Sequence, residues 1–525
     1  MNLHQCNDQD SNWIIPITVI NNQSDDFVTK YLLTKEQEIL HINTNLSLEK
    51  DDDEPLIKKR RHSSLASTWF KLNICSGGPY RVFYSSDMLE ELIQAMIKQE
   101  LNTFDRFNLE NDMYALVMGG FTSLVDYLNL LLNGYVNELD DELVWKDIES
   151  NIIRIGTLLE YDKELFEFYR KFVLFFHRYL YQRIGFMPND NDSIARGRLR
   201  CFLLVILGTI GHDSAIISKA REQLLVYLND SSVTVLWPIC AIVAHHASEI
   251  DLNNLLKLWE QRTRRDDRLR CAYGLSYVQD PIHIDRVLDL FTTTNNFIRL
   301  HERIECYKGF CLSKQGRYYY QRYIENNWLL IRTNYNDEYL EALIRETFGY
   351  FSTKDEAIRI EEFFLSNETF QQKYKSNLKE TPSTPCTRIA VHLCLDDNEL
   401  STINKSSLPS PILNQQQHYS MIPHKVREVA SIIAHTTRTR AALLERDRER
   451  LLTFFQSDNF PILSSNFIAS SQLLSVNTIN VPNVISTCSP TITTSGNKRK
   501  RRLSSLNTTN SSPPVRNLLA SDTSV

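Results

Sequence analysis

The sequence predicts a mainly α-helical fold: an irregular superhelical array, or α-solenoid, of antiparallel helix pairs. Apolar residues recur at i, i+3, i+4, i+7 and i+8 along much of the chain, which places them on one face of a helix. Two such sets are Leu89, Leu92, Ile93, Met96 and Ile97, and Leu165, Phe168, Phe172, Phe175, Phe176 and Tyr179. Short turn signals separate these runs, and helices joined by short turns pack antiparallel to each other. No fixed period separates the helices, so the array is predicted to be irregular.

The composition of the chain excludes several functional classes. With 525 residues it has room for two or three domains. Its formal net charge of −6 is small for this length, so we expect no nucleic-acid partner. The ten cysteines are scattered without a C-x-x-C pair, which is typical of reduced thiols in a cytoplasmic protein. The polar N-terminus predicts no signal peptide, and the longest apolar runs, 201–210 and 233–247, are too short for a membrane span.

Residues 1–86 are predicted to form part of a small β-sandwich that is interrupted by a disordered loop. Short β-rich or apolar runs at 13–19, 31–33 and 39–42 indicate strands. Residues 46–68 are polar and cannot bury a core. This loop contains a basic run and two serines: Lys58, Lys59, Arg60, Arg61, Ser63 and Ser64. A solvated loop insertion is the favoured interpretation, and a nuclear localisation signal with phosphorylation of the serines is the alternative.

Residues 69–84 (WFKLNICSGGPYRVFY) alternate with period 2 before a Ser-Gly-Gly-Pro turn, which predicts a β-hairpin. Phe70 and Leu72 are expected on its apolar face, and Lys71 is expected to point the other way. Residues 85–87 (SSD) are predicted to cap the first helix of the array. The array as a whole is predicted to form a domain over residues 87–370.

Several segments resemble the puromycin-sensitive aminopeptidase family of zinc gluzincins, which includes the endoplasmic-reticulum aminopeptidases. Residues 69–93 (WFKLN…GGPYRVFYSSDMLEELI) resemble that family's strand-to-helix junction. Residues 103–131 resemble its D-R-x-x-L-x-x-D-x-x-A-L-x-x-x-G segment, and residues 144–155 and 316–331 resemble its later helices. The resemblance covers about residues 13–367 and implies the end of a β-sandwich followed by the C-terminal helical domain. In that family the enzyme trims peptides from the N-terminus, and this domain shapes the peptide chamber.

The family's catalytic motif is absent from this sequence. The family binds zinc through H-E-x-x-H, where two His at i and i+4 share a helix face and the Glu activates a metal-bound water. Here His301-Glu302 is followed by Arg303, Ile304 and Glu305, so the second His is missing. We therefore predict no catalytic residue and no metal on this chain, and no hydrolysis by this chain alone; zinc belongs to the full-length family.

The family resemblance also suggests where a peptide could bind. The family's helical domain arches over the catalytic cleft, and its concave face carries basic residues that can hold a peptide's carboxyl end. Arg268 and Arg270, in the densest basic segment, are the candidate peptide contacts, because an Arg fork suits a carboxylate. The alternative is an exposed charged face paired with Asp266, Asp267 and Glu260.

Two further clusters are interpreted as structural. His245 and Glu249 have the i, i+4 spacing of metal ligands, but two ligands from one turn do not make a site, so a packed helix end is favoured. Residues 317–322 (RYYYQR) suggest stacking on RNA, but helical spacing spreads the tyrosines over different faces.

The C-terminal part of the chain departs from the family. Residues 371–420 are predicted to be a linker and residues 421–457 an amphipathic helix. Docking of this helix on the array is favoured, and binding of a protein partner is the alternative. Residues 458–525 are predicted to form a disordered tail rich in Ser, Thr and Asn. The tail holds a second basic block and a serine: Lys498, Arg499, Lys500, Arg501, Arg502 and Ser504.

These observations lead to one functional hypothesis and one alternative. The chain resembles the non-catalytic C-terminal part of a zinc aminopeptidase, and we expect it in the cytoplasm. The alternative is a non-enzymatic peptide- or protein-binding scaffold with a regulatory tail, for which the two basic blocks allow a nuclear location.

Overall fold

The computed structural model describes residues 2–4, 15–21, 29–33, 37–39, 69–78, 80–293, 298–365 and 422–457. These residues belong to one compact unit, Met1–Ser475. The predicted loop at 46–68, the linker at 371–420 and the tail at 458–525 lie outside the described residues. The same is true of both basic blocks and of Ser63, Ser64 and Ser504.

The mainly α-helical fold is confirmed. The helices are α1 (Ser86–Ile97), α2 (Thr103–Met118), α3 (Leu124–Leu130), α4 (Glu142–Leu159), α5 (Lys163–Ile184), α6 (Ile194–Val205), α7 (Ser214–Asn229), α8 (Trp237–His245), α9 (Glu249–Gln261), α10 (Arg265–Leu275), α11 (Pro281–Thr293), α12 (Leu300–Cys311), α13 (Lys314–Asn334), α14 (Asp337–Phe348), α15 (Lys354–Phe364) and α16 (His424–Gln456). One π turn, Leu131–Tyr135, extends α3, and another, Ile206–Ile210, extends α6.

Short polar side chains define where the helices begin. Each accepts a hydrogen bond from a backbone N–H in the first helical turn, which satisfies a donor that the helix itself leaves unpaired. The capping residues are Asn102, Ser123, Asp141, Asp162, Ser193, Asp213, Ser248, Ser313, Asn336 and Thr353. In the described part of the chain, no single helix has the length and apolar composition to cross a membrane; the α6–α7 pair meets the criteria only jointly, with a bend of 115°.

The N-terminal strands form two small antiparallel sheets. The strands are β1 (Asn2–His4), β2 (Ile15–Asn21), β3 (Thr29–Leu33), β4 (Gln37–Ile39) and β5 (Phe70–Leu72). One sheet pairs β1 with β4, and the other has the order β3-β2-β5, with Val19 opposite Leu72. The small sheet before the helical array is therefore present, as expected.

The predicted hairpin over residues 69–84 is wrong. Only β5 is a strand, and its partner is β2. The chain leaves the sheet at Asn73, whose φ of 54° is left-handed, and Cys75 and Ser76 share this conformation. The Asn73 side chain holds the turn by accepting from the N–H of Gly78 at 2.8 Å and donating to its carbonyl at 3.0 Å. Asparagine tolerates this conformation because its side chain replaces backbone hydrogen bonds.

Lys71 lies in strand β5 between Phe70 and Leu72, but the face on which it lies is not open to water, because helix α2 covers it. Lys71 is fully buried, and its Nζ donates to Asn108 Oδ1 at 2.7 Å and lies 3.9 Å from Asp105. Burial lowers the pKa of Lys71 against the opposing effect of Asp105. Strand alternation predicts polar-out only when one face of the sheet meets water.

Helix α16 closes the array against α3, α5, α14 and α15. Most of its apolar stripe is buried, although Ile432 is exposed, and the centroid of the Phe455 ring lies 5.9 Å from that of the stacked Phe168 ring. Two polar anchors accompany the stripe. Asp447 Oδ2 accepts from the N–H of Leu124 at 2.7 Å, at the start of α3. Arg440 donates to the carbonyl of Phe351 at 3.0 Å. The helix therefore docks on its own domain, which is the arrangement that the sequence favours.

A buried histidine in α5 should make the fold sensitive to acid. The His177 ring lies 5.9 Å from Trp145 and 5.0 Å from Phe176, and burial lowers its pKa to about 4. The unfolded chain takes up a proton on this ring below about pH 6.5 and the folded chain only near pH 4, so stability is lost as the pH falls through this window. We expect His177→Phe to recover about 2 kcal/mol of the stability that the wild-type chain loses between pH 7 and pH 5. Urea unfolding at both pH values measures this, with exposed His301→Gln as the control; equal losses in wild type and His177→Phe would contradict it.

Candidate functional site

A cavity of about 340 Å³ lies inside the array, between α4, α8 and the loops before α7 and α13. Much of its wall is apolar and includes Ile153, Phe166 and Leu312. The polar side chains in the wall are His212, His245, His246, Glu160, Gln279, Ser313, Thr157, Thr209 and Tyr277. An apolar wall with a few convergent polar groups is the usual form of a ligand site.

The local backbone brings three histidines together in the wall of this cavity. The π turn after α6 ends at Ile210, and His212 follows with a left-handed φ of 52°. This conformation is strained for a residue other than glycine and is often found at functional sites. His245 and His246 form the C-terminal end of α8. Gly208 lets the π turn approach α8, because a Cβ there would lie 2.6 Å from Ile242.

The three imidazoles are in mutual contact. The ring centroid of His212 lies 5.5 Å from that of His245 and 4.8 Å from that of His246, and the two neighbouring rings are 4.7 Å apart. One ring nitrogen from each histidine lies within 4.8 Å of the other two. Such nitrogen groups can share a proton, a water or a metal ion.

Burial keeps these imidazoles neutral at pH 7. Desolvation lowers the pKa of His212 to about 4, and the charge of Arg170 acts in the same direction. The pKa of His245 is lowered well below the ordinary value, and that of His246 is also lowered, again mainly by burial. His246 Nε2 lies 2.8 Å from the carbonyl of Gly208. A carbonyl only accepts, so Nε2 carries the proton and Nδ1 keeps its lone pair.

Glu160, which lines the cavity, belongs to a buried ion-pair network. Arg317 is fully buried, and its guanidinium pairs with Glu160 through Nη2 and with Glu356 through Nε at 3.1 Å. It also donates to the hydroxyl of Tyr161 at 3.0 Å. Burial raises the pKa of Glu160 to about 6, although Arg317 opposes the shift. Burial acts in the same direction on Glu356, but Arg317 and backbone hydrogen bonds leave its pKa lowered.

Comparison with known proteins identifies the array. The family model described as ERAP1-like C-terminal domain matches residues 69–381, which include β5 and helices α1 to α15. This chain belongs to that family. The match confirms the resemblance to the C-terminal region of the puromycin-sensitive aminopeptidase group. Helix α16 of this ERAP1-like domain lies beyond the matched residues.

The relatives of this ERAP1-like domain include longer proteins that are named aminopeptidases. Aminopeptidase M1-A from Oryza sativa subsp. japonica is 23% identical over 388 residues, which cover 72% of this chain and 41% of the relative. Aminopeptidase M1 from Arabidopsis thaliana is 24% identical over 310 residues, covering 57% and 34%. Puromycin-sensitive aminopeptidase from Caenorhabditis elegans is 19% identical over 366 residues, covering 68% and 36%. The chain spans about two fifths or less of these relatives' lengths.

The residues of this ERAP1-like domain do not fit the zinc site that the peptidase family uses. His301 is exposed, and the chain lacks the second His of H-E-x-x-H. The carboxylate of Glu302 accepts from the backbone N–H of Arg299 at 2.8 Å and pairs with Arg265, so it serves as a helix cap.

The structure places Arg268 and Arg270 on α10, half-buried. The Arg268 guanidinium stacks 4.1 Å above the Trp259 ring. Arg270 Nη1 lies 3.1 Å from Asp267 Oδ1, which is one of the pairings that the alternative interpretation expects. The neighbouring Arg262 is buried and donates to backbone carbonyls, so part of the basic segment is structural.

His245 and Glu249, which have the i, i+4 spacing of metal ligands, have different partners in the structure. Glu249 lies 3.1 Å from His283 Nε2 and 2.7 Å from Arg286, and His212 takes the place beside His245 instead. His212 was missed because it is 33 positions away from His245. One signal was present: His212 and His245 each lie at or just past the end of a long apolar run.

Proposed function

We propose that this chain binds peptides as the non-catalytic C-terminal part of an M1-type aminopeptidase, where it closes a peptide chamber. The observation that carries this proposal is the family match over residues 69–381, which includes nearly all of the described helical array. The relatives over this region are named aminopeptidases. The sequence holds no H-E-x-x-H motif, so the proposal assigns peptide contact, and not hydrolysis, to this chain.

Arg268 and Arg270 are the residues to which the proposal assigns the peptide's carboxyl end. Stacking on Trp259 and pairing with Asp267 hold the two guanidinium groups in place, which lowers the entropy lost when a ligand binds. A guanidinium donates two parallel hydrogen bonds to a carboxylate, and such charge-assisted bonds are stronger than neutral ones. The part of α10 that holds both residues is therefore the proposed carboxylate contact.

We expect the double variant Arg268→Ala with Arg270→Ala to bind short peptides at least about tenfold more weakly, because charged hydrogen bonds contribute about 1.5–3 kcal/mol each. Fluorescence anisotropy of labelled peptides with a free carboxyl end measures this. Arg332→Ala with Arg345→Ala is the matched control, because it also removes two locally paired arginines. Peptides with an amidated C-terminus should bind equally to wild type and the double variant. Absence of peptide binding by the wild-type chain, or equal binding by the double variant, would reject the proposal.

We also propose a cytoplasmic location. Six cysteines in the described part of the chain are free: Cys75, Cys201, Cys240, Cys271, Cys306 and Cys311. Buried free thiols are common in reducing compartments, whereas small secreted domains form disulfides. A tagged full-length chain confined to the secretory pathway would contradict this location.

A further inference from the structure

We propose that His212, His245 and His246 bind a divalent transition-metal ion of the zinc class, with a fourth coordination position open to the cavity. This site goes beyond the proposed peptide function. It also differs from the zinc site of the peptidase family, because that site uses an H-E-x-x-H motif and this sequence contains none.

The donor atoms are close to the geometry that a metal needs. One ring nitrogen from each histidine lies within 4.8 Å of the other two. Nitrogens on a tetrahedral zinc ion, each about 2.0–2.1 Å from the metal, are about 3.4 Å apart. Small rotations of the rings about their side-chain torsions close this difference. The adjoining cavity leaves the rings room to turn.

The chemistry of the donors selects the class of metal. Three imidazoles suit zinc, copper, nickel and iron, whereas calcium and magnesium prefer oxygen ligands. Three protein ligands leave a fourth position for water or another small ligand, as in open zinc sites. Gln279 and Ser313 also line this cavity.

A backbone carbonyl orients one of the proposed ligands, and a second lies near another. His246 Nε2 donates to the carbonyl of Gly208 at 2.8 Å, and the carbonyl of Thr209 is close enough to the His212 ring to act on it. Both carbonyls belong to the π turn after α6. Such bonds fix the tautomer of a histidine ligand and aim its other nitrogen at the metal.

Two arginines near the histidines would repel a bound metal ion, but each arginine is paired with a carboxylate. Arg170 is close enough to act on all three histidines, and its Nη1 lies 2.7 Å from Glu167. Arg221 donates to the carbonyl of His246 at 2.9 Å and lies 3.3 Å from Asp251. These ion pairs reduce the repulsion that a bound divalent ion would feel.

The test uses the full-length chain without a histidine tag, stripped with a chelator and titrated with Co²⁺ and Zn²⁺. We expect one ion per chain, the visible spectrum of four-coordinate Co²⁺, and a rise in melting temperature with Zn²⁺. X-ray absorption at the zinc edge should count about three imidazole ligands. A wild-type chain without saturable binding, or zinc with fewer than two imidazole ligands, would overturn the proposal whatever the variants do.

Two conservative variants locate the site. His212→Asn keeps a residue that tolerates a left-handed backbone, and His246→Gln keeps a donor for the Gly208 carbonyl. Each should weaken Zn²⁺ binding by more than the about 10–100-fold that removal of a ligand-orienting group costs, since each removes one of the three ligands itself. His301→Gln and His424→Gln change exposed histidines and should bind as wild type does. Wild-type affinity in both site variants would assign the metal to other residues and overturn the proposal.

Discussion

Truncation of the chain after residue 420 should abolish cooperative folding of the array, although the family match ends at residue 381. The truncation removes α16, whose buried apolar side chains include Val426, Val429, Ile433, Leu443, Leu451 and Phe455. Burial of each contributes about 1.5–3 kcal/mol, so the six together contribute on the order of 10 kcal/mol. That is comparable with the whole stability of a typical domain, about 5–15 kcal/mol.

Circular dichroism and thermal melting measure this effect. The matched control is truncation after residue 457, which removes only residues beyond α16 and should melt like the full chain. A peptide of residues 421–457, added to the shorter chain, should restore a cooperative transition if the docking surface is the cause. A cooperative melt of the chain truncated after residue 420, at the wild-type temperature, would show that α16 is dispensable.

Arg317→Met should destabilise the domain by about 3–5 kcal/mol, because it leaves the carboxylates of Glu160 and Glu356 buried without their cation. The cost comes from the stranded charges more than from the lost contacts. Adding Glu160→Gln and Glu356→Gln to Arg317→Met should therefore recover part of the loss. Urea unfolding at pH 7 measures the free energy of unfolding of each variant.

Arg345→Met is the matched control for this network. Arg345 pairs with Glu341 on the exposed face of α14, and such pairs contribute about 0.3–0.5 kcal/mol. If Arg317→Met lowers the free energy of unfolding by less than about 1 kcal/mol, water or a local rearrangement must stabilise the two carboxylates in place of Arg317. The position of Arg317 beside the cavity also predicts that its loss disturbs the wall formed by Glu160.

Much of the fold was predictable because one physical signal dominates it. The apolar stripes of α1, α5 and α16 have helical period, and the side chains on them are mostly buried as the period requires. The hairpin prediction was wrong because Asn73, Cys75 and Ser76, which follow β5 closely, adopt a left-handed backbone conformation. The alternation of apolar and polar residues carries no information about this conformation. The burial of Lys71 was not predictable from strand alternation, because it depends on α2, which is distant in sequence.

The candidate site was less predictable than the fold. Spacing along the sequence indicates only which residues share a face of one helix, and on that basis Glu249 was the neighbour expected for His245. The actual neighbour of His245, His212, reaches it only because Gly208 allows the π turn to pack closely on α8. Arg317 belongs to the RYYYQR segment that suggests stacking on RNA, but in the structure it pairs with the carboxylates of Glu160 and Glu356. Both outcomes depend on tertiary contacts across many residues.

The contact between Asp447 and Leu124 has a consequence for how the protein is made. The two residues are 323 positions apart, so the ribosome completes α3 long before it reaches Asp447, whose carboxylate accepts from the first N–H of that helix. At about 5–20 residues per second, this interval is roughly 15 seconds to a minute. During that time the apolar surface that α16 will cover is open, which is the condition under which nascent chains engage chaperones. The domain therefore cannot be completed until α16 has been synthesised.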